Sequence, residues 1–249
     1  MAKTLILIPS RMAAKRLPGK PLLKINGISM ISNVYKKALE TNIGEVFVAT
    51  EDKEIHDDVI NNGGKSILTG NHHKTGTDRI FEAYKKLDIT GVDYILNLQG
   101  DEPMLDKNDI INLNNRVLKL KSKIGTLACE INNQNDDKYY DKNVVKVKTK
   151  NQLSFNESCE AESFFRVHDN KDKKNIYHHI GIYQYSVSTL EKITSLSQTK
   201  NEKKLNLEQL RAMDNNISID VILAKVSPIG IDSLEDYKKV KNLLETKNF

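Results

Sequence analysis

Four cations, Arg11, Lys15, Arg16 and Lys20, fall within ten residues of the stretch "SRMAAKRLPGKP", directly after the apolar run "TLILIP". Gathered on one loop, such charges repel one another unless an anion joins them, and a polyphosphate is an anion of the right kind. Gly19 permits close backbone approach, while Pro18 and Pro21 restrict the loop. The other use for such charges is pairing with surface carboxylates or pointing into water, and for Lys15, beside Arg16, water is the expected direction. A second constellation is "NLQGDEP", where an apolar strand ends in Gln99, Gly100, Asp101 and Glu102. A carboxylate beside bound phosphates calls for a divalent cation, and Mg2+ held by one or two carboxylates plus phosphate oxygens is the usual arrangement. Asp101 is the first candidate ligand. Asp106, immediately ahead of a helical run, is better placed to cap that helix. Asp232, in "GIDSLEDY", stands just before a Ser233-x-x-Asp236 capping box, so the residues alone leave it open between helix initiation and a second metal ligand.

The run "HHIGIYQY" reads as a strand in which neighbours face opposite ways. His179, Gly181, Tyr183 and Tyr185 then share one face, and His178, Ile180, Ile182 and Gln184 the other. The isoleucine face reads as core, which makes the His179/Tyr183 face the better site candidate; a structural histidine is the alternative. His72 and His73 have no metal-ligand spacing with other residues and are expected in a loop. "GGKS" at 63–66 fails as a Walker loop, because Val59 stands where its first glycine belongs and the segment precedes a strand. No G-x-G-x-x-G follows a predicted strand, so the dinucleotide fingerprint is missing as well, and neither a P-loop ATPase nor a dehydrogenase is supported.

These residues need a frame, and the first half of the chain supplies one by alternating short β-branched runs with amphipathic stretches. Strands are expected at 4–9, 45–50, 65–68 and 93–99, with helices near 29–40, 52–61, 77–87 and 106–120. Such alternation builds an α/β, Rossmann-like, mainly parallel sheet. Ligands bind there at the carboxyl ends of strands where strand order reverses, which puts Asp101 beside the cationic loop. After the strand expected at 124–131 a polar segment intervenes, and an insertion or small subdomain begins there. Strands at 144–149, 178–186 and 217–226 and helices at 187–197, around 206–212 and at 233–247 complete the chain. Asp232 is expected to end a short strand before the last helix. A chain of 249 residues can bury a substantial core without staples. The two cysteines, Cys129 and Cys159, suggest neither a disulfide framework nor a zinc site. A net charge of +5, with lysines and acids interspersed, argues against a nucleic-acid tail. No apolar run is long enough to span a membrane, and the start lacks a signal-peptide pattern, so a cytoplasmic protein is expected.

With these residues in view the chain resembles the 3-deoxy-manno-octulosonate cytidylyltransferase (CMP-Kdo synthetase) family over nearly its whole length. "IPSRMAAKRLPGKPL" looks like the family's opening signature, followed in order by "VAT", "TGTDRI", "NLQGDEP", "NVVKV", "HHIGIYQY", "LEQLR" and "GIDSLEDY". The resemblance implies a nucleotidyltransferase fold of glycosyltransferase-A-like topology in one domain. Within it, about 1–130 and 215–249 would form the nucleotide-binding core, and about 131–214 the sugar-binding and dimerisation region of a homodimer. It implies transfer of CMP from CTP to a 2-keto-3-deoxy sugar acid with release of pyrophosphate, for lipopolysaccharide or capsule. Carried over by position, Arg11, Arg16 and Lys20 would hold the triphosphate, with Lys20, Arg11 and Asp101 closest to the chemistry. Thr75, Gly76, Thr77, Asp78 and Arg79 would help select cytosine and ribose, and Asp101 and Asp232 would carry Mg2+. Gln99, His179, Tyr183, Glu208 and Gln209 would line the sugar pocket.

One departure stands out. The family follows the "VKV" strand with an aromatic-Phe-Ser-Arg run, whereas this chain has "LSFNES", which puts Asn156 and Glu157 at the Ser-Arg positions. Glu157 could pair with the ammonium of an amino-substituted ulosonate; alternatively it faces solvent, with Arg166 restoring the charge. A sialic-acid-type cytidylyltransferase would continue its first loop with a Gly-Gly-Ser-Lys stretch, and a hexose-1-phosphate nucleotidyltransferase would open glycine-rich. A CTP-binding regulator that has lost turnover is the reading outside enzymes, and retention of both Asp101 and Asp232 argues against it.

Overall fold

The computed structural model describes residues 2–13, 16–131, 137–155, 157–167 and 174–246, so Lys15 and Asn156 lie outside the described residues. The chain divides into two units, Met1–Ile110 with Pro228–Phe249, and Ile111–Ser227.

The first unit starts with β1 (Thr4–Ser10), buried along almost its full length. A 3-10 turn at Lys20–Leu22 and a two-rung hairpin, β2 (Lys24–Ile25) with β3 (Ile28–Ser29), then lead into α1 (Met30–Leu39). Ser29 caps α1 by accepting from the Ser32 amide at 3.1 Å. β4 (Val46–Thr50), α2 (Lys53–Asn61), β5 (Ser66–Leu68), α3 (Gly76–Leu87) and β6 (Tyr94–Asn97) follow, close to their predicted bounds. β1 pairs in parallel with β4 on one side and β6 on the other, and β4 pairs with β5. Strand order therefore runs outward from β1 to β5 and restarts on the far side at β6. The reversal falls between β1 and β6, where a doubly wound sheet binds its ligand. Apolar runs such as "TLILIP" suit this setting, since strands of parallel sheets are covered on both faces.

The boundary between the units falls within α4 (Lys107–Leu120). Asp106 caps this helix as expected, its Oδ1 accepting from the Asn108 amide at 2.7 Å. The second unit holds β7 (Ile124–Cys129), α5 (Asp137–Tyr140), β8 (Lys146–Thr149), β9 (Ser158–Phe165), β10 (Ile176–Ser186), α6 (Val187–Ser195), α7 (Lys200–Leu205), α8 (Leu210–Asp214) and β11 (Asp220–Leu223). Its strands pair round a ring: β10 with β7, β7 with β11, β11 with β9, β9 with β8, and β8 back to β10. Only the β7–β11 rung is parallel. Ring pairing gives each of these strands a partner on both sides, which removes the exposed edges that invite aggregation. Lys146 is buried in this unit, and its ammonium donates to the carbonyls of Asp141, Val144 and Arg166 at 2.6, 3.0 and 2.8 Å. Burial lowers its pKa, and three carbonyl acceptors saturate its three protons.

Several expectations change here. The strand predicted at 217–226 is confined to Asp220–Leu223. The helix expected around 206–212 is α8, which starts only at Leu210, and an unexpected helix, α7, precedes it and ends where Asn206 takes a left-handed conformation at φ 51°. β9 was not expected, because its sequence "SCEAESFF" mixes acids with apolar residues. No strand precedes Asp232: residues 227–232 are irregular. β10 keeps the expected alternation, with His179, Tyr183 and Tyr185 on one face opposite Ala128, Thr126 and Ile124, but it carries an unexpected irregularity. Its register against β7 shifts between Ile180 and Tyr183, so that two residues are extra, a bulge. Both faces are covered there, for His179, Tyr183 and Tyr185 are buried along with Ile180 and Ile182.

The chain ends with α9 (Leu234–Thr246), which begins with the predicted box: the Asp236 amide donates to Ser233 Oγ at 3.1 Å, and the Asp236 carboxylate accepts from the Ser233 amide at 2.9 Å. Val240 of α9 packs with Leu17, Ile25, Met30 and Ile231 in a small core. Leu17 thereby ties the cationic loop down within its own segment.

Candidate active site

The loop after β1 is held at both ends by its own sequence. Met12 donates its amide to the Asp52 carboxylate at 2.7 Å, and the Gly19 amide reaches back to the Met12 carbonyl at 3.4 Å. Gly19 sits at φ +70°, a left-handed conformation that a side chain would strain, and it starts the 3-10 turn carrying Lys20. The Lys20 ammonium consequently points inward. It donates to Asp101 Oδ2 at 2.7 Å and to the Ile231 carbonyl at 2.7 Å, and lies 3.6 Å from Asp232. Arg16 pairs with the other side of Asp232 at 2.8 Å. Sequence reasoning thus brought Arg16, Lys20, Asp101 and Asp232 to one place, and the structure does the same. Arg11 is exposed on this loop.

The pairing also shows how the cations are balanced. Both partners of the Arg16–Asp232 pair are more than half exposed, so the bond is weak and readily exchanged for a phosphate. Lys20 is different, with a side chain only 12% exposed. Its ammonium lies where two carboxylates converge, which marks the spot as one that accepts a cation. Glu102, which sequence reasoning passed over, adds a third carboxyl. Its Oε2 is buried without a hydrogen-bond partner, and burial, reinforced by Asp101 and Asp232, pushes its pKa up to about 8. The signal was present in "GDEP", but nothing in the sequence says which of two adjacent acids turns inward. Asp101 and Asp232, the two carboxylates on this ammonium, are oxygen donors of the kind that a hard divalent ion takes.

The Thr75–Arg79 turn opens α3, which packs against β1. Thr75 caps the helix, accepting from the Asp78 amide at 3.1 Å, and its own hydroxyl donates to Asp78 Oδ2 at 2.7 Å. Arg79 is buried rather than free to reach out. Its guanidinium donates to Thr69 Oγ1 at 2.7 Å, to the Gly70 carbonyl at 3.3 Å and to Glu51 at 2.5 Å. Thr75, Gly76 and Thr77 stand at the first turn, while Arg79 braces that turn against the β4 and β5 ends. Gln99 follows β6, two residues before Asp101.

In the second unit His179, Tyr183 and Glu208 come together, and Gln209 follows Glu208 at the start of α8. The His179 and Tyr183 rings lie 5.4 Å apart, and Tyr183 stacks on Tyr185 at 5.8 Å. Thr126 organises the bulge: its hydroxyl donates to the Ile182 carbonyl at 2.7 Å and lies 3.0 Å from His179 Nε2, which assigns the Nε2–H tautomer. Burial, with His178 nearby, lowers the His179 pKa to about 3, so the ring is neutral. Burial, Tyr185 and Glu208 hold the Tyr183 phenol well above its ordinary range; Thr126 eases the shift without making a full hydrogen bond. Tyr183 Oη and Gln209 Nε2 are buried polar atoms with no hydrogen-bond partner. Such orphans are rare in folded proteins and call for a bonding partner from outside the chain, water or a ligand. Two residues after Gln209, α8 carries a buried ion pair to α7: Arg211 Nη2 meets Glu202 at 2.7 Å, both side chains 3% exposed. Glu157 is exposed, and the Arg166 guanidinium binds the carbonyls of Asn143 and Leu205 at 3.1 and 3.3 Å.

Comparison with known proteins follows the same outline. A family model described as cytidylyltransferase matches residues 5–219. A 3-deoxy-manno-octulosonate cytidylyltransferase of Rhizobium etli is 37% identical over 98% of this chain and 96% of its own length. One from Rhodopseudomonas palustris is 39% identical over 97% of this chain and 98% of its own. A solved structure of CMP:2-keto-3-deoxy-manno-octonic acid synthetase complexed with CTP superposes with a TM-score of 0.87, at 33% identity, covering 99% of this chain and 100% of that one.

Proposed function

Since the chain belongs to the 3-deoxy-manno-octulosonate cytidylyltransferase family, we propose that it transfers CMP from CTP to the anomeric hydroxyl of 3-deoxy-D-manno-octulosonate and releases pyrophosphate. The observation that carries this reading is the convergence of Lys20, Asp101 and Asp232 at the reversal of strand order. The anomeric oxygen attacks the α-phosphorus, the bond from that phosphorus to the bridging oxygen breaks, and pyrophosphate leaves with the electron pair. Positioning and neutralisation of charge supply most of the rate in such a displacement. Arg11, Arg16 and Lys20 bind the triphosphate, and Arg16 exchanges its exposed Asp232 partner for phosphate oxygens. Thr75, Gly76 and Thr77 read the nucleoside, and Arg79 positions that turn. Asp101 and Asp232 are the residues that would hold Mg2+, which when bound neutralises phosphate charge and acidifies the attacking hydroxyl. His179, Tyr183, Glu208 and Gln209 of the second unit take the sugar acid; the unpartnered Tyr183 and Gln209 atoms support this. Exposure of Glu157 gives no support to an amino-substituted acceptor.

The same reading carries a homodimer, supported by exposed Tyr140, Phe155 and Val167 in the second unit, and a cytoplasmic role in lipopolysaccharide or capsule synthesis. No helix among the described residues is long and apolar enough to cross a membrane. Asp101→Asn tests the site. Pyrophosphate release is expected to fall by about 100-fold or more with the melting temperature little changed, the scale on which removing one charge-stabilising group acts. Turnover near that of the wild type would sink the assignment of Asp101.

A further inference from the structure

The loop between β5 and α3 contains a cluster that the reading above does not use. His72, His73 and Glu82 each offer a ligand atom, and these atoms all lie within 4.8 Å of one another. Glu82 stands on the second turn of α3, nine residues after His73, a spacing that only the fold closes. We propose that His72, His73 and Glu82 form a binding site for a divalent transition metal ion of the zinc class, separate from the Asp101/Asp232 cation site.

Two imidazoles and one carboxylate are the ligand set of open three-residue zinc sites, in which water takes the remaining position. Imidazole donors select zinc, nickel or copper over magnesium, which prefers the all-oxygen set around Lys20. The local geometry arranges the donors for this use. His73 Nε2 already contacts Glu82 Oε2, and the two imidazole rings lie 4.2 Å apart, tilted by 40°. Lys86 binds Glu82 Oε1 at 2.7 Å, and the Gly70 amide donates to Oε1 and Oε2 at 3.0 and 3.2 Å. These outer partners fix the carboxylate and leave Oε2 toward the histidines, the orienting role that surrounding hydrogen bonds play at metal sites. Lys86 also keeps Oε1 engaged, so the carboxylate binds through one oxygen. Glycine at position 70 admits the exposed ring: a Cβ there would fall 2.5 Å from His72 Cε1 and Nδ1. A bound ion clamps residues 70–73 to α3 directly ahead of the Thr75 cap.

Cobalt(II) titration of tag-free protein, followed by visible absorption and reversed by zinc, tests the site. Wild type and Asp101→Asn are expected to develop the same intense bands of a low-coordinate nitrogen-containing site at about one equivalent. His72→Ala, at an exposed position that does not threaten folding, is expected to weaken binding at least tenfold, and Gly70→Ala to do likewise by displacing the ring. Absent bands, bands unchanged in His72→Ala, or bands lost in Asp101→Asn would each overturn the proposal.

Discussion

Lys20 shows how much one residue's setting decides. Its ammonium occupies the point at which Asp101 and Asp232 converge; its nearness to Asp101 was anticipated from "RLPGKP" and "NLQGDEP" because both motifs end strands on the same side of a parallel sheet, whereas Asp232 was indicated only by the family resemblance. The inward turn of Glu102 was not legible, since neighbouring acids in a loop carry no periodicity. The pairing of His73 with Glu82 was equally hidden, because a loop histidine and a helical acid share no local spacing. His179 gives a prediction at this scale. The unfolded ring takes a proton below about pH 6.5, whereas the buried ring refuses one until about pH 3. Stability linked to His179 is therefore full above pH 6.5 and is lost as pH falls from there toward 3. The melting temperature of His179→Gln is expected to decline less steeply than that of the wild type between pH 6.5 and 4; parallel declines would contradict the burial of a neutral ring.

Among the elements, the ones read most closely from sequence are those whose surroundings are uniform. β1, β4 and β6 are apolar runs covered on both faces, and α1 to α3 are amphipathic, with α1 and α3 capped by Ser29 and Thr75. β10 was found with its faces as expected, since a bulge of two residues preserves the period of two, although the bulge itself is invisible to that period. α7, ahead of α8, was missed for a different reason. A buried ion pair, Glu202 with Arg211, holds the two helices together, and a charged residue in a helical pattern reads as surface. Arg211→Met leaves the Glu202 carboxylate buried without its partner and is expected to cost about 3–5 kcal/mol in urea unfolding. Adding Glu202→Gln should recover most of that loss. A single-variant cost below about 1 kcal/mol would mean that water reaches the pair.

For the whole chain, the division of legibility follows the two units. The first is a parallel α/β wind in which strand, helix and turn signals alternate, so its sheet order and ligand side could be anticipated. The second closes five strands into a ring through long-range antiparallel pairs, and its β9 strand mixes polar and apolar residues. What the motifs supplied there was residue identity, the "HHIGIYQY" and "LEQLR" runs, rather than geometry. The orphaned Tyr183 and Gln209 atoms emerge only once the ring is assembled. The central claim is that this chain joins CMP to a 2-keto-3-deoxy sugar acid, and continuous measurement of pyrophosphate release from CTP in the presence of magnesium tests it most directly. Release is expected with 3-deoxy-D-manno-octulosonate, in step with formation of the CMP-sugar, and not with CTP alone or with N-acetylneuraminate. CTP binding without release for 3-deoxy-D-manno-octulosonate would contradict the account and favour a nucleotide-binding regulator.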